Sequence, residues 1–405
     1  MRVLVISHLF APDRGGGASV FSDFCFGLSE KGHEVTVLAG YPYYPEWKNK
    51  TGANLWRVRY ETICGVRVVR HGFYIPVRPS SIAQRVVYEL TFTISLLRSW
   101  RLVRASDAIV AYCPLMGSVL FAAMMRVLFR KAFWLNVQDI PADAAVASGI
   151  SRWAWFNAIA SALQRRLFRS AGVVSTIAPE MVDRLRQIVG KGEVQYFPNW
   201  LHASMDDAVR EQGQKVWFDH AQQTVSILYA GNIGKKQGLT EFCRVLSSST
   251  EEFSVRVHGD GGESDELHRW MDSAGDARFS LGPFLGEVDF VRALHGCDFF
   301  VITETPSVGA SFIPSKLIPC IATGTPVIAV CDAHGPLGRE VALYGLGLVV
   351  RWADVPSLVP QVRRILSDAA AYREMSRRCI DRSLIYRRDH AIARAEELVA
   401  LVKAR

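Results

Sequence analysis

A stretch in the last quarter of the sequence, residues 309–329, combines small residues, a proline and a lysine in an order suited to binding phosphate (GASFIPSKLIPCIATGTPVIA). The N-terminus of a helix exposes unpaired backbone N–H groups and a partial positive charge, so it binds anions without any side chain. Proline suits the first turn, where its missing N–H costs nothing, and we therefore predict that Pro314 lies in the first turn of a helix. A tight connection without a ligand would give the same pattern. The candidate diphosphate-binding groups are Gly309, Ser311, Pro314, Ser315 and Lys316.

A second glycine-rich stretch, residues 231–238 (GNIGKKQG), follows the apolar run Val225–Ala230, which is typical of a buried strand. Its glycines free the backbone, and Lys236 could neutralise charge that builds on a leaving diphosphate. Both stretches are predicted to follow strands, where open sheets bind ligands. The loop Gly15–Gly17 would face them from the other half of the chain. This loop does not match GxGxxG, so it does not favour a dinucleotide.

Asp139 follows the apolar run Phe133–Val137, again at a predicted strand end. A carboxylate there could act as a base or orient a sugar hydroxyl. A carboxylate that only caps the next helix fits the sequence equally well. The sequence contains no Ser-His-Asp order, HExxH or Walker A motif. Its eight scattered cysteines include no CxxC pair, which indicates reduced thiols in a cytosolic protein and no metal site.

The elements that must position these groups alternate between strands and helices. A chain of 405 residues with this alternation predicts two doubly wound, Rossmann-like α/β domains facing a central cleft. Their boundary is expected near Pro198–Ala203. In the first half, predicted strands Arg2–Ser7 and Glu34–Leu38 flank a helix near Ser19–Lys31. In the second half, the predicted strands after Val225–Ala230 are Phe253–His258, Phe299–Thr303 and Pro326–Val330.

Charge is divided unevenly along the chain. The net charge is +8, yet residues 1–200 carry 24 Lys and Arg against 13 Asp and Glu, whereas residues 201–405 carry 23 against 26. A basic first half suggests an anionic partner, such as a nucleic acid, a phospholipid surface or a diphosphate-bearing substrate. An ordinary solvated basic face is the alternative.

One uncharged stretch, Ala108–Met125, approaches the length of a membrane span. Because Pro114 and Gly117 interrupt it, we interpret it as a buried strand followed by a helix. Ser80–Arg104 and Arg152–Arg169 mix apolar residues with arginines, like helices that lie among the headgroups of an anionic bilayer. Helices that pack on the core with a basic outer edge would have the same composition. The opening MRVLVISHLF is expected to be a strand, not a signal peptide.

Six short motifs lie along the chain in the following order: Tyr43–Trp47, Val137–Ile140, Phe197–Trp200, Tyr229–Leu239, Gly259–Gly262 and Pro314–Leu317. Together they resemble the GT-B fold glycosyltransferases of family 4. Within that family they are similar to the bacterial surface-polysaccharide branch, the colanic-acid and O-antigen transferases of fucosyl or N-acetylfucosaminyl type.

The resemblance implies transfer of a hexosyl or N-acetylhexosaminyl group from a nucleotide diphosphate sugar such as a UDP-sugar. The reaction would proceed with retention of anomeric configuration and without a metal or other cofactor. The donor would bind mainly to a second domain, residues 202–387. The acceptor, a saccharide on polyprenyl diphosphate at the inner face of the cytoplasmic membrane, would bind to a first domain, residues 1–201. The final helix, 388–405, would cross back to that first domain, and nucleic acid is not expected as a partner.

The resemblance also assigns roles to single residues. The donor side would include Gly16, Gly17, Asn232, Gln237, Gly261, Phe284 and Glu304, besides the 309–316 stretch. The acceptor side would include Tyr44, Trp47 and Asn199. Lys236, Lys316 and Asp139 would carry the catalysis.

Two usual glutamates of the family are replaced in this chain. Ser311 and Pro319 stand at their positions. The second of these glutamates normally holds the donor ribose, so another group must do so, and Glu304 is the candidate.

Other departures leave the function open. Asn232 stands where a diphosphate-binding arginine is usual, Gln237 or Lys236 stands near the position of a lysine, and Gln138 replaces a first-domain histidine. A GT-B relative that epimerises nucleotide sugars is one alternative, although basic aromatic helices would have no use there. A non-catalytic partner in a polysaccharide assembly complex is another.

Overall fold

The computed structural model describes the chain except residues 14–16, 45, 79–80, 142–153, 191–192, 214, 216–223, 307–312 and 405, and except the side chains of residues 154–157. The chain divides into two compact units. The first comprises Met1–His202 together with Arg388–Arg405, and the second comprises Ala203–Arg387. The chain therefore leaves the first unit after His202 and returns to it at Arg388.

The first unit is a mainly parallel sheet covered by helices. Its strands are β1 Arg2–Ile6, β2 Glu34–Gly40, β3 Val58–Ile63, β4 Val66–His71, β5 Ala108–Cys113, β6 Phe133–Val137, β7 Val173–Thr176 and β8 Val194–Tyr196. Its helices before the chain leaves are α1 Ala18–Glu30, α2 Ile82–Leu96, α3 Trp100–Ala105, α4 Met116–Phe129, α5 Ala154–Arg169 and α6 Pro179–Val189, and a 3-10 turn at Leu97–Ser99 joins α2 to α3. Among the described residues the strand order is β3-β4-β2-β1-β5-β6-β7-β8, with only the β3–β4 pair antiparallel.

The central strands β1, β5 and β6 are apolar without alternation. Every residue of β5 and β6 is buried, because helices cover both faces of a parallel sheet. The stretch Ala108–Met125 is accordingly a buried strand followed by most of α4, as the sequence predicted. In the part of the chain that the structure describes, no helix is both long enough and apolar enough to cross a membrane.

The second unit repeats this plan with a fully parallel sheet. Its strands are β9 Val225–Asn232, β10 Phe253–Asp260, β11 Phe279–Gly282, β12 Phe299–Thr303, β13 Val327–Val330 and β14 Gly347–Val350. Its helices are α7 Ala203–Gln212, α8 Leu239–Leu246, α9 Ser264–Ala274, α10 Glu287–His295, α11 Leu317–Ala322, α12 Pro336–Tyr344, α13 Leu358–Leu366 and α14 Ala369–Ser383, with 3-10 turns at Trp352–Ser357 and Leu384–Tyr386. The described strands are ordered β11-β10-β9-β12-β13-β14. The prediction of two Rossmann-like α/β domains is confirmed.

Helix α8 shows how sequence spacing selects the buried face. Leu239, Phe242, Cys243 and Leu246 lie at helical spacing on one side and are all fully buried. They join the core formed with the strands of the second sheet. Burial of a side chain such as Leu or Phe contributes about 1.5–3 kcal/mol, so this stripe holds the helix on the sheet.

The last helix, α15 (Arg388–Lys403), packs in the core of the first unit. Its buried residues Ile392, Ala395, Val399 and Val402 recur every three or four positions, which makes one apolar stripe. Gly27 of α1 lies directly against Ile392, where a Cβ would overlap the isoleucine side chain. The chain returns to its first unit because this stripe completes that core.

Asp23 in α1 links the points at which the chain leaves and re-enters the first unit. Its buried carboxylate accepts the Trp200 indole N–H at 2.7 Å and the Arg388 Nε–H at 2.8 Å. Arg388 also pairs with the more exposed Glu30 at 2.7 Å. A single buried acid thus binds residues beside both crossings between the units.

We expect Asp23→Ala to lower the free energy of unfolding of the first unit by about 3 kcal/mol, because Arg388 and Trp200 would lose their buried acceptor. Chemical denaturation followed by tryptophan fluorescence measures this loss. Arg377→Ala is the control, since its ion pairs with Glu374 and Asp381 are exposed and should contribute less than about 1 kcal/mol. Equal losses in the two variants would contradict a special role for Asp23.

Candidate functional site

The carboxyl ends of β9 and β10 lie side by side. Gly231 and Asn232 pair in register with Gly259 and Asp260, so the prediction that the strands end at 230 and 258 was wrong. The reason is the absence of side chains, since a Cβ on Gly259 would overlap the Gly231 carbonyl. These glycines therefore extend the sheet before the chain turns, and the turn after β9 lies further out than predicted.

Lys316 lies against the end of β9. Its Nζ is 4.1 Å from the centroid of the Tyr229 ring, and a Cβ on Gly231 would lie 3.2 Å from the same nitrogen. Burial lowers the pKa of Lys316 to about 8, and no acidic side chain among the described residues forms an ion pair with it. A partly buried ammonium without an acidic partner is costly on its own and favours a bound anion.

Helix α11 starts at Leu317, so Pro314 lies before the helix, and the prediction that it belongs to the first helical turn was wrong. Pro314 and Ser315 form a turn before the helix, and their carbonyl oxygens accept the N–H groups of Leu317 at 3.0 Å and Ile318 at 3.2 Å. The proline of the first helical turn is Pro319, whose missing N–H is one of the groups that the helix leaves unpaired. This turn, with exposed Ser315 at its tip, lies where the first turn of the helix was predicted.

Three predicted donor-side residues, Gly16, Gly309 and Ser311, lie outside the described residues, and their roles stay predictions. Gly17, next to Gly16, is the N-cap residue of α1. A Cβ on Gly17 would overlap the Phe21 ring unless that ring shifted, so packing against Phe21 favours glycine at this position.

The turn after β9 brings Asn232 and Gln237 together. The Asn232 Nδ2 donates to the Gln237 Oε1 at 3.4 Å. Lys236 in the same turn is exposed, and its carbonyl oxygen accepts the Thr305 N–H at 2.9 Å. This bond connects the turn to the end of β12 while the Lys236 ammonium remains in solvent.

Glu304 follows β12 at the same edge of the second sheet. Burial raises the pKa of its carboxyl group to about 7, and its backbone carbonyl accepts the Trp352 indole N–H at 2.8 Å. The hydroxyls of the flanking Thr303 and Thr305 are buried without a hydrogen-bond partner among the described residues. Unpaired buried polar groups of this kind indicate a site that is completed by something else.

Gly261 and Phe284 lie at the ends of β10 and β11. The Gly261 N–H donates to the Asp260 Oδ1 at 2.7 Å, and a Cβ on Gly261 would overlap the Ile233 carbonyl. Packing therefore explains this glycine, whereas the Phe284 ring is 56% exposed and free to meet a ligand. The donor-binding roles of both residues stay predictions.

In the first unit, a chain of amide side chains crosses the ends of β6 and β7. The Asn199 Nδ2 donates to the Gln138 Oε1 at 2.9 Å, and the Gln138 Nε2 donates to the Asn136 Oδ1 at 2.7 Å. Asn136 in turn donates to the Ser175 hydroxyl at 3.1 Å. The Asn199 carbonyl oxygen is buried without a described partner. The predicted acceptor residue Asn199 is thus positioned by Gln138.

Asp139 lies beyond the end of β6, as the sequence predicted. Its Oδ1 accepts the Ile140 N–H at 2.8 Å, and its backbone carbonyl accepts the Cys113 thiol at 3.6 Å. The carboxylate is therefore oriented by the backbone of its own loop.

Asp13 holds the loop that carries Tyr44 and Trp47. Its Oδ1 accepts the N–H groups of Tyr43 at 2.9 Å and Tyr44 at 3.0 Å. Its Oδ2 is buried without a described partner, and burial raises the pKa of this carboxyl group. The Trp47 ring packs edge-on against Tyr43, with 5.6 Å between centroids. The structure thus brings two predicted acceptor residues to one anchored loop.

Sequence reasoning missed the buried polar cluster beneath this loop. The Tyr43 and Tyr88 hydroxyls are 2.6 Å apart, and the His8 ring meets Tyr88 edge-on at 6.3 Å between centroids. Burial lowers the pKa of His8 to about 3, so the imidazole is neutral at pH 7. Asp13 was missed as well, although its place just before the glycine loop was a usable signal.

Glu89, beside Tyr88 on α2, was also missed. Its Oε2 accepts the Gly117 N–H at the start of α4 at 2.6 Å, and burial raises the pKa of the carboxyl group to about 7. The sequence held a signal, because Glu89 is the only acidic residue between Glu61 and Asp107. A single acid in a long basic segment suggests a side chain with a specific partner.

The chain is similar in sequence to known glycosyltransferases. Residues 15–200 match the family model described as a glycosyl transferase 4-like domain. The chain is 25% identical to the putative colanic acid biosynthesis glycosyl transferase WcaI of Escherichia coli K12, and the alignment covers 96% of this chain and 98% of the relative.

Solved structures share the fold along the whole chain. Sucrose-phosphate synthase from Thermosynechococcus elongatus matches with a TM-score of 0.75 at 16% identity, over 100% of this chain and 99% of that one. Anabaena HepE in complex with UDP-glucose matches with a TM-score of 0.65 at 13% identity, over 99% of each chain. The chain has the GT-B fold of these structures. The family-model match over residues 15–200 agrees with the resemblance to the glycosyltransferases of family 4.

We expect Lys316→Met to raise the free energy of unfolding of the second unit at pH 7 by about 2 kcal/mol, because it removes a charge whose burial is unfavourable. The folded pKa of about 8 lies below the unfolded value of about 10.4. Wild-type stability should therefore rise between those two pH values, where only the unfolded chain still holds the proton, and the variant should lack this rise.

Denaturation curves at pH 7 and above pH 9 measure both effects. Lys236→Met is the matched control, since that side chain is exposed and its removal should change stability by less than about 0.5 kcal/mol. If Lys316→Met destabilised the protein, Lys316 would be a structural residue and not an anion-binding group.

Proposed function

We propose that the protein transfers a hexosyl or N-acetylhexosaminyl group from a nucleotide diphosphate sugar to a saccharide carried on polyprenyl diphosphate, in the synthesis of a surface polysaccharide. The transfer retains the anomeric configuration and uses no metal. The observation that carries the proposal is the partly buried ammonium of Lys316, which lies against the Tyr229 ring at the end of β9 and has no acidic partner among the described residues. The relative WcaI is named for colanic acid synthesis, and HepE holds UDP-glucose on the same fold, which supports a nucleotide sugar as donor.

Lys316 suits the role of stabilising the leaving group. When the bond between the sugar and the diphosphate breaks, negative charge builds on the phosphate oxygen that leaves. An ammonium in a buried site interacts with that charge far more strongly than one in water. A bound diphosphate would raise the pKa of Lys316 again, so the side chain would be protonated in the complex. Lys236, on the turn after β9, would add a second cation from the solvent side.

The other predicted groups have distinct tasks in this proposal. Glu304 would accept a ribose hydroxyl, and Asn232 with Gln237 would donate to the diphosphate from the same turn. In the first unit, Asp139 would orient a donor or acceptor hydroxyl, and Asn199 would use its unpaired carbonyl oxygen. Each task uses a group that the structure leaves near a strand end.

We expect Lys316→Met to lower kcat by about a hundredfold, because the interaction is strongest in the transition state. Lys236→Met should lower kcat by about tenfold, since its charge lies in solvent. Transfer of labelled sugar measures kcat, and calorimetry with UDP and GDP measures the binding of the donor's diphosphate.

Lys31→Met is the control, because this exposed lysine lies in the first unit. Unchanged rates in both the 316 and 236 variants would remove the lysines from the mechanism. Isomerised nucleotide sugar formed without any acceptor would replace the transferase proposal with an epimerase.

An apolar stripe on the outer side of α2 supports a peripheral position on an anionic membrane. Tyr88 and Phe92 face the core, whereas the residues of the stripe are 38–50% exposed. This α2 stripe consists of Ile82, Val86, Leu90, Ile94 and Leu97. Arg85, Arg98, Arg101 and Arg104 flank it, and the one acid of the segment, Glu89, is bound to Gly117. An exposed apolar stripe with basic flanks fits the headgroup region of an anionic bilayer.

We expect the double variant Leu90→Glu with Ile94→Glu to bind vesicles of phosphatidylcholine and phosphatidylglycerol at least about tenfold more weakly than the wild type. Co-sedimentation measures the binding. Leu343→Glu is the control, since Leu343 is 75% exposed and lies in the second unit. A wild type that ignores the vesicles, or that dimerises through the stripe in sedimentation velocity runs, would contradict the membrane assignment.

A further inference from the structure

A groove of about 490 Å³ opens on the first unit beside Trp47. One wall is the loop at residues 47–55, and the other is the segment at residues 73–77 that follows β4. The two walls meet where Gly72 donates its N–H to the Arg57 carbonyl at 3.0 Å. A Cβ on Gly72 would overlap the Asn54 carbonyl, so the walls approach this closely only with glycine there. The volume is that of a site for a small molecule or for the head of a larger one.

Aromatic and polar side chains both line the groove. Trp47 and Tyr74 present aromatic rings, and Lys48 and Asn54 present polar groups. Aromatic rings beside amides and a cation are suited to a sugar and a phosphate. Lys48 is the only charged residue of the lining and forms no ion pair with a described residue. The neighbouring acid, Glu46, is already paired with Lys50 at 2.6 Å.

The rim of the groove is apolar and exposed. Val77 is 83% exposed, Leu55 is 39% exposed, and Trp56 next to it is 67% exposed. Exposed aliphatic and aromatic side chains at the mouth of a polar groove are unfavourable in water. They would be covered if the ligand in the groove continued into an apolar chain.

Three contacts join this groove to α2 and the turn after it. The Arg85 guanidinium lies over the Trp47 ring at 5.7 Å from the centroid, and the Arg98 guanidinium lies over the Trp56 ring at 4.6 Å. The Tyr74 N–H donates to the Thr91 hydroxyl on α2 at 3.1 Å. Both walls are therefore attached to the element that carries the α2 stripe.

We propose that this groove binds the head of the acceptor lipid, a prenyl diphosphate bearing sugar. Lys48 faces the diphosphate, Trp47 and Tyr74 contact the sugar, and Val77 with Leu55 contacts the first isoprene units on their way to the membrane. This assignment rests on the proposed function, because it locates the acceptor of that reaction. In this assignment the Trp47 ring contacts the acceptor sugar as well as the Arg85 guanidinium.

Farnesyl diphosphate is the probe, because it carries the shared chemistry of the acceptor lipid in soluble form, and inorganic pyrophosphate is its headgroup alone. Calorimetry with the full chain should show that the wild type binds farnesyl diphosphate about tenfold more tightly than pyrophosphate. Lys48→Glu should weaken both by about tenfold. Val77→Asp should weaken only farnesyl diphosphate, by about tenfold, and neither variant should alter UDP binding.

Two controls match the variants in exposure and charge change: Lys31→Glu and Leu343→Asp, both at exposed positions outside the groove. Equal weakening by a control, or a Val77→Asp variant that binds like the wild type, would overturn the assignment. Displacement of farnesyl diphosphate by saturating UDP would also overturn it, since the probe would then occupy the donor site.

Failure of the groove and failure of the proposed function give different results. If the wild type binds UDP and transfers sugar but ignores farnesyl diphosphate, the groove assignment alone fails. If farnesyl diphosphate binds with the expected dependence on Lys48 and Val77 but no nucleotide diphosphate binds, the donor half of the proposed function fails.

Discussion

In a parallel sheet all strands end at the same edge, and the hydrogen bonds of the ladder stop there. The backbone groups and side chains beyond that edge need other partners, which is why open α/β sheets bind ligands at this place. In the second unit, Lys316, Glu304 and the turn with Asn232 and Gln237 all lie beyond strand ends. In the first unit, Asp13 and Asp139 do. The placement of the candidate site follows from this property of the sheet.

Near the strand ends of each unit lie ionisable groups whose surroundings disfavour the charged form. Burial lowers the pKa of Lys316 to about 8 and that of His8 to about 3, and it raises the pKa of Glu304 and Glu89 to about 7. Isolated charges are kept in such surroundings only where a partner compensates them. For Glu89 the partner is the start of α4. None of the described residues compensates the charge of Lys316, and a bound diphosphate would do so.

In the first unit, the two sides of helix α2 contact different surroundings. The inner side of α2 carries Tyr88, which belongs to the polar cluster under the Tyr44 loop, and Glu89, which accepts the Gly117 N–H, while its outer side carries the α2 stripe. A membrane contact on the outer side and an acceptor lipid in the adjacent groove would use the same element. Shared anchoring of this kind would keep the acceptor near the bilayer while its sugar reaches the catalytic groups.

The sequence by itself determined the α/β alternation, the buried strands such as β5 and the glycine-rich turns. It also identified Lys316 as a candidate diphosphate-binding residue. These depend on short-range periodicity and residue type, which act within a few positions. Only the tertiary structure decided where β9 and β10 end, that α11 starts at Leu317, and which side of α2 faces water. It also decided that the Lys316 ammonium lies partly buried against the Tyr229 ring, with no acidic partner among the described residues. Those outcomes depend on contacts between segments far apart in the chain: Gly231 beside Gly259, Glu89 beside Gly117, Lys316 beside Tyr229. Local patterns contain no information about such neighbours, and burial and pKa follow from the neighbours.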